Sequence, residues 1–186
     1  VGSVRIGTLS DYRRIDKYGE MTSDQSEGWK RFAPKEIRNL TAASLPEYPG
    51  LEGLLHIGAG SEIGRITFGD GLSVGSPDLL VFSASSKYSE ATHHLWHSEE
   101  RYDACYRIAS ARLFFRALSR AIGDSYSFEG FWPVVYADQL DLASPIGNVH
   151  PALVKRPGLF ADQSEVRAIW RPTAPETTVS PQLVEH

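Results

Sequence analysis

The sequence is poor in cysteine, in long apolar runs and in excess positive charge. A single cysteine, Cys105, stands among 186 residues, so no disulfide can form within the chain. No apolar run approaches the roughly 20 residues that a membrane-spanning helix requires, and no basic-then-apolar segment of the signal-peptide type opens the sequence. The formal net charge of −4 supplies no overall basic field of the kind that gathers nucleic acid. We therefore expect a cytoplasmic protein, and leave a nucleic-acid target open.

Several common nucleotide and metal motifs are also missing. No Gly-Lys-Ser/Thr follows a glycine-rich loop, which excludes a P-loop. The glycines of Gly58–Gly64 are not set in a βαβ pattern, so a Rossmann site is rejected. His93 and His97 are four residues apart and could form a metal pair on one helix face, with Glu99 or Glu100 as a third ligand. The His-Glu-x-x-His pattern is absent, so we favour a surface cluster and expect no metal.

What is present is the composition of one ordinary globular domain. Hydrophobic residues make up 41% and charged residues 23% of the chain, which excludes a largely disordered protein. Short alternating segments outnumber helical ones, and this predicts a compact, strand-rich α+β fold with few helices. We expect a single domain over residues 1–172 and a peripheral tail over 173–186.

The local patterns give the following elements. The segment 18–36 is polar and is expected to form a functional or mobile loop. Cys105 is assigned to the core, and the late basic residues to solvated surface: Lys155, Arg156, Arg167 and Arg171. The predicted helix, ended by Gly123, is Ala111–Ile122. The predicted strands are Val4–Leu9, Gly64–Phe68, Leu79–Ser83, Tyr102–Ile108, Trp132–Ala137 and Val166–Trp170.

One late segment carries a specific pattern. Phe160 is followed by two residues and Gln163, then by one residue and Glu165 at the start of an apolar strand. This resembles the turn and Gln-x-Glu motif of mono-ADP-ribosyltransferases, particularly the Rho-modifying bacterial exoenzymes. That family carries two earlier marks in chain order, an Arg on the first strand and a Ser-Thr-Ser on a middle strand. Arg5 matches the first, and Ser83-Ala84-Ser85 resembles the second with alanine in the middle.

The resemblance implies a split-sheet fold with NAD, the substrate, bound in a cleft between the sheets. It implies that the Glu165 carboxylate stabilises the oxocarbenium-like transition state as nicotinamide leaves. Arg5 would bind a phosphate of NAD, and Ser83 and Ser85 would orient the ribose and the glutamate.

The same resemblance implies a macromolecular acceptor, either a protein side chain or a nucleic-acid base. Gln163, two residues before the glutamate and on the same side of a strand, would face this acceptor. In the family, enzymes with Gln at this position modify asparagine, glutamine or guanine acceptors. Phe160 would present an aromatic surface to the target. Tyr12 and the segment Asp24–Trp29 are candidates, on composition alone, for the lining of the same cleft.

Other interpretations remain open. The chain also resembles uncharacterised bacterial and phage domains with an early Arg-x-Gly-Thr-Leu and a late Phe-x-x-Gln-x-Glu-x-Arg. A toxin, a phage effector and a defence protein are all compatible. One alternative is an NAD glycohydrolase, with water as the acceptor. Another is a non-catalytic binding module, an inhibitor or phage accessory protein that uses exposed aromatic residues. The enzyme requires Arg5, Ser83 and Glu165 to converge, whereas a binding module would leave them scattered.

Overall fold

The computed structural model describes residues 3–18, 23–100, 104–158, 160–175 and 177–185. Its α-helices are α1 Leu9–Tyr12, α2 Ile15–Tyr18, α3 Glu90–Glu100 and α4 Ala111–Ile122. Its strands are β1 Ser3–Thr8, β2 Trp29–Phe32, β3 Lys35–Thr41, β4 Glu62–Phe68, β5 Leu72–Gly75, β6 Leu80–Ser85, β7 Tyr126–Pro133, β8 Val135–Tyr136, β9 Val154–Lys155, β10 Glu165–Pro172 and β11 Gln182–Glu185. The prediction of a compact, strand-rich α+β domain is confirmed.

The largest element is a five-stranded antiparallel sheet, here called the main sheet. Its strand order is β11-β1-β6-β10-β7, so strands from the start, the middle and the end of the chain lie side by side. Strand β6 occupies the centre and pairs with β1 and β10. This order brings residues that are far apart in sequence onto neighbouring strands.

Helix α4 covers one face of the main sheet, and its bounds are those that the sequence predicts. The Ser110 side chain accepts a hydrogen bond from the Leu113 N–H at the start of the helix, and Gly123 ends it. Phe115 and Leu118 point into a core made with alternate residues of the strands. Trp170 of β10 is buried in this core, and its indole N–H donates a hydrogen bond to a serine of α4 at 2.8 Å.

The opposite face of the main sheet is apolar at one end and polar at the other. Leu9, Val81 and Ile169 pack with the 3-10 turn Pro151–Leu153 to form the apolar end. Along the same face, towards the start of β10, the side chains become charged or hydroxylic. This polar end contains the residues that the sequence singles out.

A second core lies outside the main sheet. It is built on two antiparallel pairs, β2 with β5 and β3 with β4, and contains Phe32, Ile37, Leu40 and Leu142. The short parallel pair of β8 with β9 runs between this region and the start of β10. Among the described residues, no helix has the length and apolar content of a membrane span.

Three sequence predictions are wrong in this part of the molecule. Residues 104–108, the described part of the predicted strand Tyr102–Ile108, form no strand, and Cys105 is exposed. Tyr102 and Asp103 lie outside the described residues. Residues 23–28 belong largely to the interior, because the carboxylates of Asp24 and Glu27 are paired with arginines. Within the tail 173–186, β11 pairs with β1 at the edge of the main sheet, and Val184 joins the core.

Candidate functional site

The polar end of the main sheet joins the predicted residues of three neighbouring strands. Ser83 of β6 lies directly opposite Arg167 of β10, and Ser85 lies opposite Glu165. Continuing the register of β1 and β6 by two residues brings Arg5 level with Ser83. Directly opposed residues of antiparallel strands point to the same face. Arg5, Ser83 and Glu165 therefore share one face of the main sheet.

Four buried charged residues form the centre of this face, here called the charge cluster: Glu27, Lys155, Glu165 and Arg167. The Arg167 guanidinium binds both carboxylate oxygens of Glu27. Its Nε donates to Oε1 of Glu165 at 2.6 Å, and Nζ of Lys155 donates to Oε2 of Glu165 at 3.0 Å. The cluster holds two positive and two negative side chains, each with less than a tenth of its surface exposed. Its charges are therefore paired within the protein interior.

This pairing controls the protonation of Glu165. Burial alone would raise the pKa of the carboxyl, but the positive charges of Arg167 and Lys155 lower it to about 2. The pKa of Arg167, which burial alone would lower, is raised by Glu165 and Glu27. Glu165 is therefore a carboxylate at physiological pH. Each of its oxygens is held by one cation and keeps a second lone pair for a further donor.

Tyr12 covers the charge cluster from the side of β1. A Cβ on residue 7 would stand 3.0 Å from the Tyr12 ring, so glycine at this position lets the ring lie against the strand. Burial raises the pKa of the Tyr12 phenol, although the nearby Arg167 opposes that shift. The phenol lies beside Ser83 and senses the charges of Arg5 and Glu165 as well. Tyr12 is thus a common neighbour of Arg5, Ser83 and Glu165.

Ser83 lies on this face beside Tyr12 and Glu165. Its Oγ is shielded from solvent and makes no hydrogen bond of normal geometry with the described residues. It nevertheless lies close enough to the Glu165 carboxylate to contribute to the lowering of its pKa. Ser85 differs, because its Oγ donates to the Gln163 carbonyl at 2.6 Å. A buried polar atom without a partner is rare in native proteins and is a candidate contact for a ligand.

Arg5 lies at the edge of the face. Its guanidinium is paired with the Asp11 carboxylate of α1, and 41% of its side chain is exposed. Asp11 itself is held in place, since its backbone N–H donates to the Thr8 side chain that begins the helix. Arg5 is therefore positioned by a neighbouring acid and remains open to solvent.

Two predicted residues are placed differently from expectation. Gln163 lies in the 3-10 turn Ala161–Gln163 and not on a strand, because Ser164 adopts a left-handed conformation with φ 47° before β10 begins. Its side-chain oxygen accepts a hydrogen bond from Lys155 at 3.5 Å. Phe160 is also buried, with the Lys155 ammonium 3.9 Å from its ring centroid. In this conformation neither side chain presents the open surface that acceptor recognition requires.

The sequence predictions missed the remaining members of the charge cluster. The charge pattern predicts a solvated surface for Lys155, Arg156, Arg167 and Arg171. Lys155 and Arg167 are instead buried, because the carboxylates of Glu165 and Glu27 compensate their charge. Arg156 and Arg171 are half exposed. The one signal that could have found Arg167 is its spacing, two residues after Glu165 on a strand, which places both on the same face.

The histidines of α3 form no metal site with the described residues. His93 and His97 both lie on the helix, but no group of three or more potential ligands is found in the part of the chain that the structure describes. The side chains of Glu99 and Glu100 lie outside that part. The predicted alternative ligands are therefore untested.

Comparison of the chain with protein-family models, with curated proteins and with solved structures finds no match.

Proposed function

We propose that this protein is a mono-ADP-ribosyltransferase that takes NAD as its substrate, with Ser83 and Glu165 at the reaction centre. The observation that carries the proposal is that Arg5, Ser83 and Glu165 share one face of three neighbouring strands. These residues come from the start, the middle and the end of the chain. A binding module does not require these three residues to lie near one another, whereas the enzyme does.

The state of Glu165 fits the proposed chemistry. When the bond from ribose C1′ to nicotinamide breaks, its electron pair leaves with the nicotinamide nitrogen and positive charge develops on the ribose. A carboxylate that is already ionised and fixed in place can stabilise that charge without first losing a proton. Arg167 and Lys155 hold Glu165 in this state. They are positioning residues, since they act through the carboxylate.

Ser83 and Arg5 supply the binding contacts of the proposal. The Ser83 hydroxyl is buried beside Glu165 and Tyr12 and makes no hydrogen bond of normal geometry with the described residues, so it is placed to bind a ribose hydroxyl. Arg5 is partly exposed, and its planar guanidinium suits a phosphate oxygen pair. We assign the acceptor to a cytoplasmic macromolecule, whose nucleophilic atom forms the new bond to C1′ and loses its proton.

An NAD glycohydrolase is the second candidate. The burial of Gln163 and Phe160 removes both contacts that the sequence predicts for a macromolecular acceptor. With water as the acceptor, the Glu165 carboxylate would stabilise the same positive charge on the ribose, and no binding surface for a macromolecule would be needed.

Two substitutions test the reaction centre through the rate of nicotinamide release. Ser83→Ala removes one hydroxyl that makes no hydrogen bond of normal geometry with the described residues, so we expect the fold to be retained. We expect release to fall about tenfold, the effect of one lost hydrogen bond of roughly 1.4 kcal/mol. Glu165→Gln removes the negative charge, and we expect a fall of about 100-fold or more. Circular dichroism checks the fold of each variant.

The matched control is Ser127→Ala, which removes an exposed hydroxyl on β7. Its release rate should equal that of the wild type. Equal rates for all three variants and the wild type would exclude Ser83 and Glu165 from the reaction.

A further inference from the structure

A cleft lies between β2 and β9, beside the charge cluster and outside the face just described. Its volume is about 230 Å³. One wall is strand β2, and the other consists of the segment after β8 together with β9. The lining side chains that matter here are Trp29, Arg31, Asp138, Gln139, Lys155 and Arg156.

Trp29 provides a fixed aromatic surface in this cleft. Trp29 and Arg31 alternate with the buried Lys30 and Phe32 along β2, so the first two share the outward face. The Trp29 ring lies directly over Gly75 of β5, where a Cβ would stand 2.9 Å from two ring atoms. One side of the indole therefore packs on backbone, while 44% of the residue stays exposed. An indole held in this way suits stacking against a planar ligand.

Two arginines place positive charge next to this aromatic surface. Arg31 is exposed and forms no ion pair with the described residues, so its guanidinium can bind an anion. Arg156 is held by Asp24, whose buried carboxylate accepts from Arg156 Nε at 3.2 Å and from its Nη2 at 2.9 Å. About half of the Arg156 side chain remains exposed. Lys155 contributes only to the wall, because its ammonium binds Glu165.

The wall opposite Trp29 is held at both ends. The Ala137 N–H donates to the Lys155 carbonyl at 3.0 Å, and the Leu140 N–H donates to the Arg31 carbonyl at 2.8 Å. Between these two points the chain presents Asp138 and Gln139 to the cleft. A carboxylate and an amide can accept from and donate to the polar edge of a nucleobase.

We propose that this cleft binds a nucleotide unit, with the base stacked on Trp29 and the phosphate at Arg31 and Arg156. The three features required, a fixed aromatic face, an exposed guanidinium without an ion pair among the described residues and a polar edge, occur together in one concave site. The volume of about 230 Å³ is below the roughly 300–1,000 Å³ of most small-molecule pockets, which limits the part of a ligand held inside the cleft to about one nucleotide unit. This inference stands independently of the proposed function.

Equilibrium binding to the intact protein tests the proposal. The probes are the four 5′-mononucleotides, NAD and a short fluorescent single-stranded oligonucleotide, each measured by calorimetry or anisotropy. We expect Trp29→Ala to weaken binding at least about fivefold, the lower end of the effect of one stacked base. Arg31→Met should weaken binding and reduce its dependence on salt, because one phosphate contact is lost. Trp29→Phe should restore part of the affinity.

The matched controls are Tyr106→Ala and Arg38→Met, which change an exposed aromatic residue after α3 and an exposed arginine on β3, neither of which lines the cleft. Both should bind like the wild type. Preference for mononucleotides, NAD or oligonucleotide identifies the source of the nucleotide unit. The proposal is overturned if none of the probes binds, or if every probe binds Trp29→Ala and Arg31→Met as tightly as the wild type.

Discussion

At the scale of single residues, Arg167 links two buried carboxylates, Glu27 and Glu165, and no other described residue pairs with both. Replacing Arg167 by methionine keeps much of the side-chain volume. It removes the cation that binds the Glu27 carboxylate and the Oε1 atom of Glu165. Removing one partner of a buried ion pair typically costs about 3–5 kcal/mol. We expect the free energy of unfolding of Arg167→Met, measured by urea titration, to fall by about that amount.

The control for this substitution is Arg171→Met on the same strand. Arg171 is half exposed and lies 3.5 Å from the Glu129 carboxylate, so its removal should cost about 0–1 kcal/mol. Equal losses from the two substitutions would contradict the structural role assigned to the charge cluster.

The lowered pKa of Glu165 also predicts how the stability of the protein depends on pH. Its pKa is about 2 in the folded protein, and a glutamate in an unfolded chain has a pKa of about 4.3. Between these values the unfolded state binds more protons, so this contribution is present above about pH 4.3 and is lost as the pH falls towards 2. We expect urea titrations over this range to show the loss, and Glu165→Gln to show a smaller one.

The exposed carboxylate of Asp16 provides the comparison. Asp16→Asn should follow the wild-type pH profile. If Glu165→Gln has the same slope as the wild type between about pH 4.3 and about pH 2.5, Glu165 does not supply this dependence.

The sequence could identify the residues of the candidate site more readily than their contacts. Glu165 and Ser83 stand next to apolar strands, and this local pattern predicts their positions. The partner of Arg167 is Glu27, which lies 140 positions earlier, in a segment that looks like a polar loop. Charges in such a segment are normally solvated, so only the folded chain reveals that Lys155 and Arg167 are buried.

At the scale of elements, α4 is stabilised mainly by the residues that it buries against the main sheet. Leu118 is 2% exposed and Leu113 is 62% exposed on the same helix. We expect Leu118→Ala to lower the free energy of unfolding by about 2–5 kcal/mol, because it leaves a cavity in the core. Leu113→Ala should change it by less than about 0.5 kcal/mol. Thermal unfolding of the two variants would contradict this packing if their midpoints were equal.

The same helix shows why some elements are readable from sequence and others are not. Its cap residue, its apolar spacing and its terminal glycine all lie within one short stretch of the sequence. The predicted bounds of α4 agree with the structure. The segment 102–108 carries an apolar pattern as well, yet its described part pairs with no strand. Strand formation depends on a partner elsewhere in the chain, and a short apolar pattern contains no information about that partner.

At the scale of the whole molecule, the candidate residues lie on the main sheet, and the cleft wall that contains Trp29 belongs to the strands of the second core. Strands β1, β6 and β10 bring Arg5, Ser83 and Glu165 together, while β2 and β9 bound the neighbouring cleft. The two sites adjoin at Lys155, which contacts Glu165 and contributes to the cleft wall. Substitutions at Trp29 and Arg31 test the cleft, and substitutions at Ser83 and Glu165 test the reaction centre.

The most direct measurement is the release of nicotinamide from NAD by the purified wild-type protein, with and without bacterial lysate as a source of acceptors. The proposed transferase predicts release that increases when lysate is present, with ADP-ribose appearing on a macromolecule. Release that is independent of lysate, with free ADP-ribose as the product, would indicate the glycohydrolase. No release under either condition would contradict NAD chemistry at Glu165, the central claim made for this protein.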